Sequence, residues 1–241
     1  MTVARAFCLF AFLPFSSIGA PALPEIQVPI FEEEILIDGR ADESVWLKSA
    51  SLELMDNDSA TIPIEPTTVL LFISNDALFL SWKIFDKDIQ ATLTERDSQF
   101  WDEEVVELFL STEALDKYYE LQWNPLNGFF DAIITNQLDS TGNSKGIIGV
   151  TEYTAIGMQS AVYVEGTVGN ASDSDKFWSV EVKIPFQALK IQQPKRSEVW
   201  RANLFRFNRG NPVNLERQSW SPTMTSSFHQ PAKFGSLIFT D

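Results

Sequence analysis

Residues 96–104 read Arg96-Asp97-Ser98-Gln99-Phe100-Trp101-Asp102-Glu103-Glu104 and lead directly into an apolar stretch that carries Glu107. An indole set among acids and amides is costly to leave wet. A sugar ring is one partner that suits it, because its C–H groups stack on the indole while its hydroxyls meet the neighbouring polar groups. The alternative is that Trp101 folds back onto the core. A second group follows in residues 118–124 (YYELQWN), where a period of two places Tyr118, Glu120, Gln122 and Asn124 on one face. Such a row is either an ordinary solvent face or a hydrogen-bonding wall. Glu107 lies between Val105 and Phe109 in its own alternation, so its carboxylate on an apolar face needs a partner, either a ligand or a nearby Arg. The third group is C-terminal: Gln218-Ser219-Trp220-Ser221-Pro222, then Ser227-Phe228-His229-Gln230-Pro231.

Other chemistries are narrowed by counting. One His and one Cys, Cys8, exclude multi-His and Cys-based zinc sites. Asp102, Glu103, Glu104 and Glu107 could supply the two carboxyls of a glycoside hydrolase, which stand roughly 5–5.5 Å apart for retention or 6.5–9.5 Å for inversion. No G-x-S-x-G elbow accompanies His229, which argues against a nucleophilic triad and for a structural or binding-rim role. His229 with Met55, Met158 or Met224 would make a haem axial pair, a weaker alternative that a Soret band would reveal. Asp56-Asn57-Asp58, Asp86-Lys87-Asp88 and Asp173-Ser174-Asp175 offer closely spaced oxygen ligands for calcium, a pattern that solvated turns share.

The elements that must hold these residues read as strands. Residues 68–73 (TVLLFI) and 78–85 (LFLSWKIF) flank Ser74-Asn75-Asp76-Ala77 and predict a hairpin. Further strands are expected at 105–110, 118–124, 129–135, 161–168, 178–184, 201–208 and 235–240. In 178–184, Trp178, Val180, Val182 and Ile184 alternate with Ser179, Glu181 and Lys183 and the strand ends at Pro185. Helical pattern is confined to 42–48 (DESVWLK) and 186–190 (FQALK). Many short strands with almost no helix predict an all-β fold.

At this point the chain resembles the family 9 carbohydrate-binding modules. The resemblance rests on an ordered series: Ile37-Asp38-Gly39 with Asp42-Glu43-Ser44-Val45-Trp46, Leu78-Phe79-Leu80, Trp101 with Glu107, Tyr118-Tyr119-Glu120 with Asn124-Pro125, Trp178 with Glu181 and Ile184-Pro185, Trp200 with Asn203 and Arg206, Ser219-Trp220-Ser221-Pro222, and Phe228-His229-Gln230-Pro231 with Phe234-Gly235. It implies a jelly-roll-like β-sandwich of two antiparallel sheets, structural calcium, and a slot where two rings clamp a sugar at the end of a glucan or xylan chain. Carried over by position, Trp101 is one clamp ring and Phe228 stands where the second is a Trp. Glu107 matches an acid that accepts sugar hydroxyls, and Asn124 a binding amide. Gln122 stands in place of an Arg, and Phe205 in place of a Gln.

The expectation is therefore a non-catalytic carbohydrate-binding protein. Trp101 and Phe228 are its ring contacts, Glu107, Gln122 and Asn124 its hydrogen-bonding floor, and Arg206 and His229 further site residues. Calcium, if held, is expected at Asp86 and Asp88. The resemblance also implies functional association with a glycoside hydrolase. A formal net charge of −15 disfavours nucleic acid and anionic membrane partners. Residues 1–22, with Arg5, an apolar run and a closing Ala20-Pro21-Ala22, read as a secretory signal peptide, which predicts an exported protein, periplasmic or extracellular. No later stretch is long and apolar enough to anchor the chain in a membrane. One domain is expected over residues 30–241.

Overall fold

A computed structural model describes residues 22–209 and 215–240. The expected signal segment lies, but for Ala22, outside the described residues. The rest is almost entirely strand, as the short β-branched and aromatic runs dictate. The strands are β1 (Glu25–Phe31), β2 (Ala50–Glu53), β3 (Met55–Asp56), β4 (Thr67–Ser74), β5 (Ala77–Phe85), β6 (Val105–Ser111), β7 (Lys117–Trp123), β8 (Phe129–Leu138), β9 (Ser144–Val150), β10 (Gln159–Glu165), β11 (Phe177–Pro185), β12 (Val199–Asn208), β13 (Glu216–Ser219) and β14 (Gly235–Thr240). Single 3-10 turns stand at Ser44–Lys48, Phe100–Asp102 and Pro231–Lys233. Residues 186–190 form a hydrogen-bonded turn rather than the expected helix: five residues after Pro185 close on Ile191 N donating to Phe186 O, with Lys190 at φ 56°. Among the described residues no helix is long and apolar enough to cross a membrane.

Two layers face each other as a β-sandwich. One runs β10-β11-β5-β4, with β2 also on β4; the other runs β14-β12-β6-β7-β8-β9, with β13 on the far end of β12. All pairings within the layers are antiparallel, but β1 joins them. Its residues from Glu25 to Pro29 lie parallel to β14, and Ile30 and Phe31 then lie parallel to β4. Pro29, which has no N–H to donate, sits where the strand changes partners. The sandwich is thus one mixed sheet curled on itself, and it begins at Glu25, ahead of the expected boundary at 30.

The core follows from alternation. Val106, Leu108 and Leu110 of β6, Leu121 and Trp123 of β7, and Ala202 and Leu204 of β12 meet Val69, Leu71, Leu80, Trp82, Val180 and Val182 of the other layer. Each of these strands must present its other residues outward. On β6, β7, β8 and β12 those outward residues are themselves buried: Val105, Phe109, Tyr118, Phe130, Ala132, Ile134 and Phe205 form a second apolar cluster, covered by Phe100, Phe228 and Phe234. That covered outer face holds the site.

Candidate functional site

Register places the polar groups together. Glu107 of β6 pairs with Gln122 of β7 on one side and with Phe205 of β12 on the other; Phe109 pairs with Glu120. Glu107, Glu120 and Gln122 therefore rise from one face as direct and diagonal cross-strand neighbours. They floor a cavity of about 440 Å³, within the roughly 300–1,000 Å³ usual for ligand pockets. Its walls are largely aromatic, supplied by Trp101, Phe109, Phe130, Phe207 and Phe228, with His229 and Ser227 at the rim.

The floor is only partly hydrogen-bonded. Gln122 Nε2 donates to Glu120 Oε1 at 2.6 Å, while Gln122 Oε1 is buried without a partner. Glu107 is 2% exposed, and no described residue donates to its carboxyl. Burial holds the Glu107 carboxyl well above the ordinary carboxylate range, and the neighbouring Glu120 adds to the effect. Burial likewise pushes Glu120 up to about 7 against the opposing bond from Gln122.

The rim is fixed by a short relay. Asn136 Nδ2 donates to the Tyr118 hydroxyl at 3.4 Å, and that hydroxyl lies 2.8 Å from His229 Nδ1. A tyrosine that accepts from Asn136 and donates to Nδ1 leaves the proton of the imidazole on Nε2. Burial lowers His229 to about 4, so the ring is neutral near pH 7. The ring packs 5.1 Å from Phe109.

Of the two expected ring contacts, Trp101 is half-buried on its 3-10 turn. It stands edge-on to Phe130 at 5.5 Å, and its carbonyl accepts from Arg209 Nε at 2.8 Å. Phe228 lines the same cavity but is 5% exposed and stacked on Phe205 at 4.1 Å. Phe205 is thus covered by Phe228 and does not line the cavity.

Two of the expected sugar contacts, Asn124 and Arg206, lie elsewhere. Asn124 falls one residue beyond β7, so the alternation that placed it beside Gln122 has ended. Its Oδ1 accepts from Leu126 and Gly128 N and its Nδ2 donates to Leu93 O, which makes it the clasp of a turn. Arg206 shares the core-facing row with Leu204, where its guanidinium pairs with Asp86 at 2.8 Å and donates to Glu65 O and Phe85 O. Asp86 is correspondingly occupied, by Arg206 on Oδ2 and by Asp88 N on Oδ1. Both oxygens of Asp86 thus already accept a bond within the fold. Asp175 accepts on both oxygens as well, from Thr167 and Ile89 N, while Asp56 accepts from Asp58 and Ser59 N on Oδ1. No group of three or more His, Cys, Asp or Glu able to hold a metal occurs among the described residues. The haem alternative finds no pair here, since none of Met55, Met158 and Met224 lines the cavity with His229. Of the loop acids, Asp102 is exposed and Glu103 caps Thr92 and Leu93 N, so neither joins Glu107 on the floor.

Glu120, Phe109, Phe130 and Phe207 were not among the expected site residues. The signal for Glu120 was present, because it shares Gln122's face; the phenylalanines read as core because a covered outer face has the same composition as a core.

The model of carbohydrate-binding family 9 matches residues 62–239. The chain belongs to carbohydrate-binding family 9. Solved structures agree on the fold. A proposed carbohydrate-binding protein from Bacteroides uniformis is similar at a TM-score of 0.69 and 16% identity, over 91% of this chain and 100% of that one. A family 9 carbohydrate-binding module from Caldicellulosiruptor kristjanssonii in complex with cellotriose gives 0.60 and 14%, over 90% and 94%. Its complex with glucose gives 0.56 and 14%, over 89% and 95%. No curated protein matches the chain.

Proposed function

We propose that this protein is an exported, non-catalytic carbohydrate-binding module that holds a glucan- or xylan-type chain end in the cavity on the outer face of β6, β7 and β8. It would serve carbohydrate breakdown in the periplasm or outside the cell beside a glycoside hydrolase. The observation that carries the reading is the cavity's division of labour: hydrogen-bonding groups of Glu107, Glu120 and Gln122 below, aromatic walls around them. A sugar has the matching division, with apolar C–H faces for the rings and hydroxyls for the floor. Family membership and the cellotriose- and glucose-bound relatives point the same way.

Hydrolysis is a poorer fit. A glycosidase sets its two carboxyls on either side of the scissile bond, whereas Glu107 and Glu120 rise side by side from one floor.

The test is tryptophan fluorescence of the intact protein against a glycan panel that includes cello- and xylo-oligosaccharides. A saturable change with at least one of them, lost in Trp101→Ala, is expected. No change across the panel would overturn the reading, and release of reducing sugar abolished by Glu107→Gln would replace it with an enzymatic one.

A further inference from the structure

The cavity floor gathers acceptors and lacks a cation. Glu107 has no described donor to its carboxyl, Glu120 has one on one oxygen only, and Gln122 Oε1 is buried with none. None of the described lining residues is Lys or Arg. Arg209 stays at the rim, bonded to the Trp101 carbonyl and 5.0 Å over the Phe207 ring, and Arg206 is on the core side with Asp86. His229 is neutral and turns its Nδ1 to Tyr118. A buried carboxyl without a partner is unfavourable.

A hydroxyl brings one proton to such a floor, whereas an ammonium brings three. Three side chains can receive those protons: the carboxyls of Glu107 and Glu120 and the amide oxygen of Gln122. We propose that the cavity is selective for an amino sugar, a hexosamine unit with a free protonated amine seated between Glu107 and Glu120 and bonded to Gln122 Oε1. The inference rests on the carbohydrate reading of the same cavity and specifies the class of sugar. Burial holds both carboxyls above their ordinary range, so the empty floor keeps its protons near neutral pH and seating an ammonium there displaces them.

The deciding experiment is calorimetric titration of the full chain, at neutral pH, with three disaccharides of one linkage: β-1,4-linked glucosamine, its N-acetylated form and cellobiose. Only the first carries a cation. The glucosamine dimer is expected to bind at least about tenfold more tightly than either neutral sugar, the difference between charge-assisted and neutral hydrogen bonds. Glu107→Gln and Glu120→Gln, each checked by thermal melting, should both reduce its affinity about tenfold. Cellobiose binding as tightly as the glucosamine dimer would overturn the amine selectivity and leave the carbohydrate reading standing. Failure of all three sugars to bind would overturn the amine selectivity, and the glycan panel then decides the carbohydrate reading.

Discussion

Trp101 and Phe228 line one cavity from different states of burial, and this sets what each substitution should do. Phe228 is stacked on Phe205 and lies 4.6 Å from Phe207, so its removal opens a hole in a packed cluster. Phe228→Ala should cost about 3–5 kcal/mol of stability, read from the midpoint of a urea transition. Trp101 is half-buried on a turn, so Trp101→Ala should move that midpoint far less while removing ligand binding. The reverse ranking would show that Phe228 is the exposed platform and Trp101 the packing residue. In the sequence both were visible as rings beside polar neighbours, and Glu107 was visible as an acid on an apolar face. What the sequence hid was contact: Phe205 and Phe228 are 23 positions apart, and nothing in either segment shows that one ring covers the other.

At the level of strands, alternation did most of the positioning. Residues 178–184 and the hairpin of β4 and β5 were legible because β-branched and aromatic residues repeat every second position between turns. β9 (SKGIIGV) and β13 (ERQS) were not, since two glycines interrupt the first and the second has no apolar residue to mark a period. Alternation also fails where a strand ends, which is how Asn124 passed from expected floor to turn clasp. Arg206 follows the period faithfully and points into the core, where it ties β12 to the segment after β5. Asp86→Ala should therefore be strongly destabilising, by about 3–5 kcal/mol, because it leaves a buried guanidinium without its partner. Chemical denaturation checks this, and a loss under 1 kcal/mol would mean the pair is not a bolt between the layers.

Across the whole molecule, burial of acids shapes the pH response. Glu107, Glu120 and Glu181 are all raised by burial, the last two to about 7, with Glu181 held by Trp46 Nε1 and the backbone N of Asp38 and Gly39. A raised carboxyl binds its proton more tightly when folded, so its contribution is full below about 4.5 and is lost as pH rises through about 7. His229, lowered to about 4, acts in the opposite direction between about 4 and 6.5. Three acids outweigh one imidazole, and growing repulsion in a chain of formal charge −15 adds to them. The melting temperature should fall between about pH 5 and 7.5, and Glu120→Gln should make that fall shallower; an unchanged slope in the variant would contradict the assignment. The claim on which the function depends is that sugar enters the cavity floored by Glu107, Glu120 and Gln122. Crystals soaked in cellobiose or in the glucosamine dimer test it most directly. Sugar density between Trp101 and that floor is the expected result, whereas density only on the other layer, in the groove around Arg40, Lys83 and Tyr163, would contradict it.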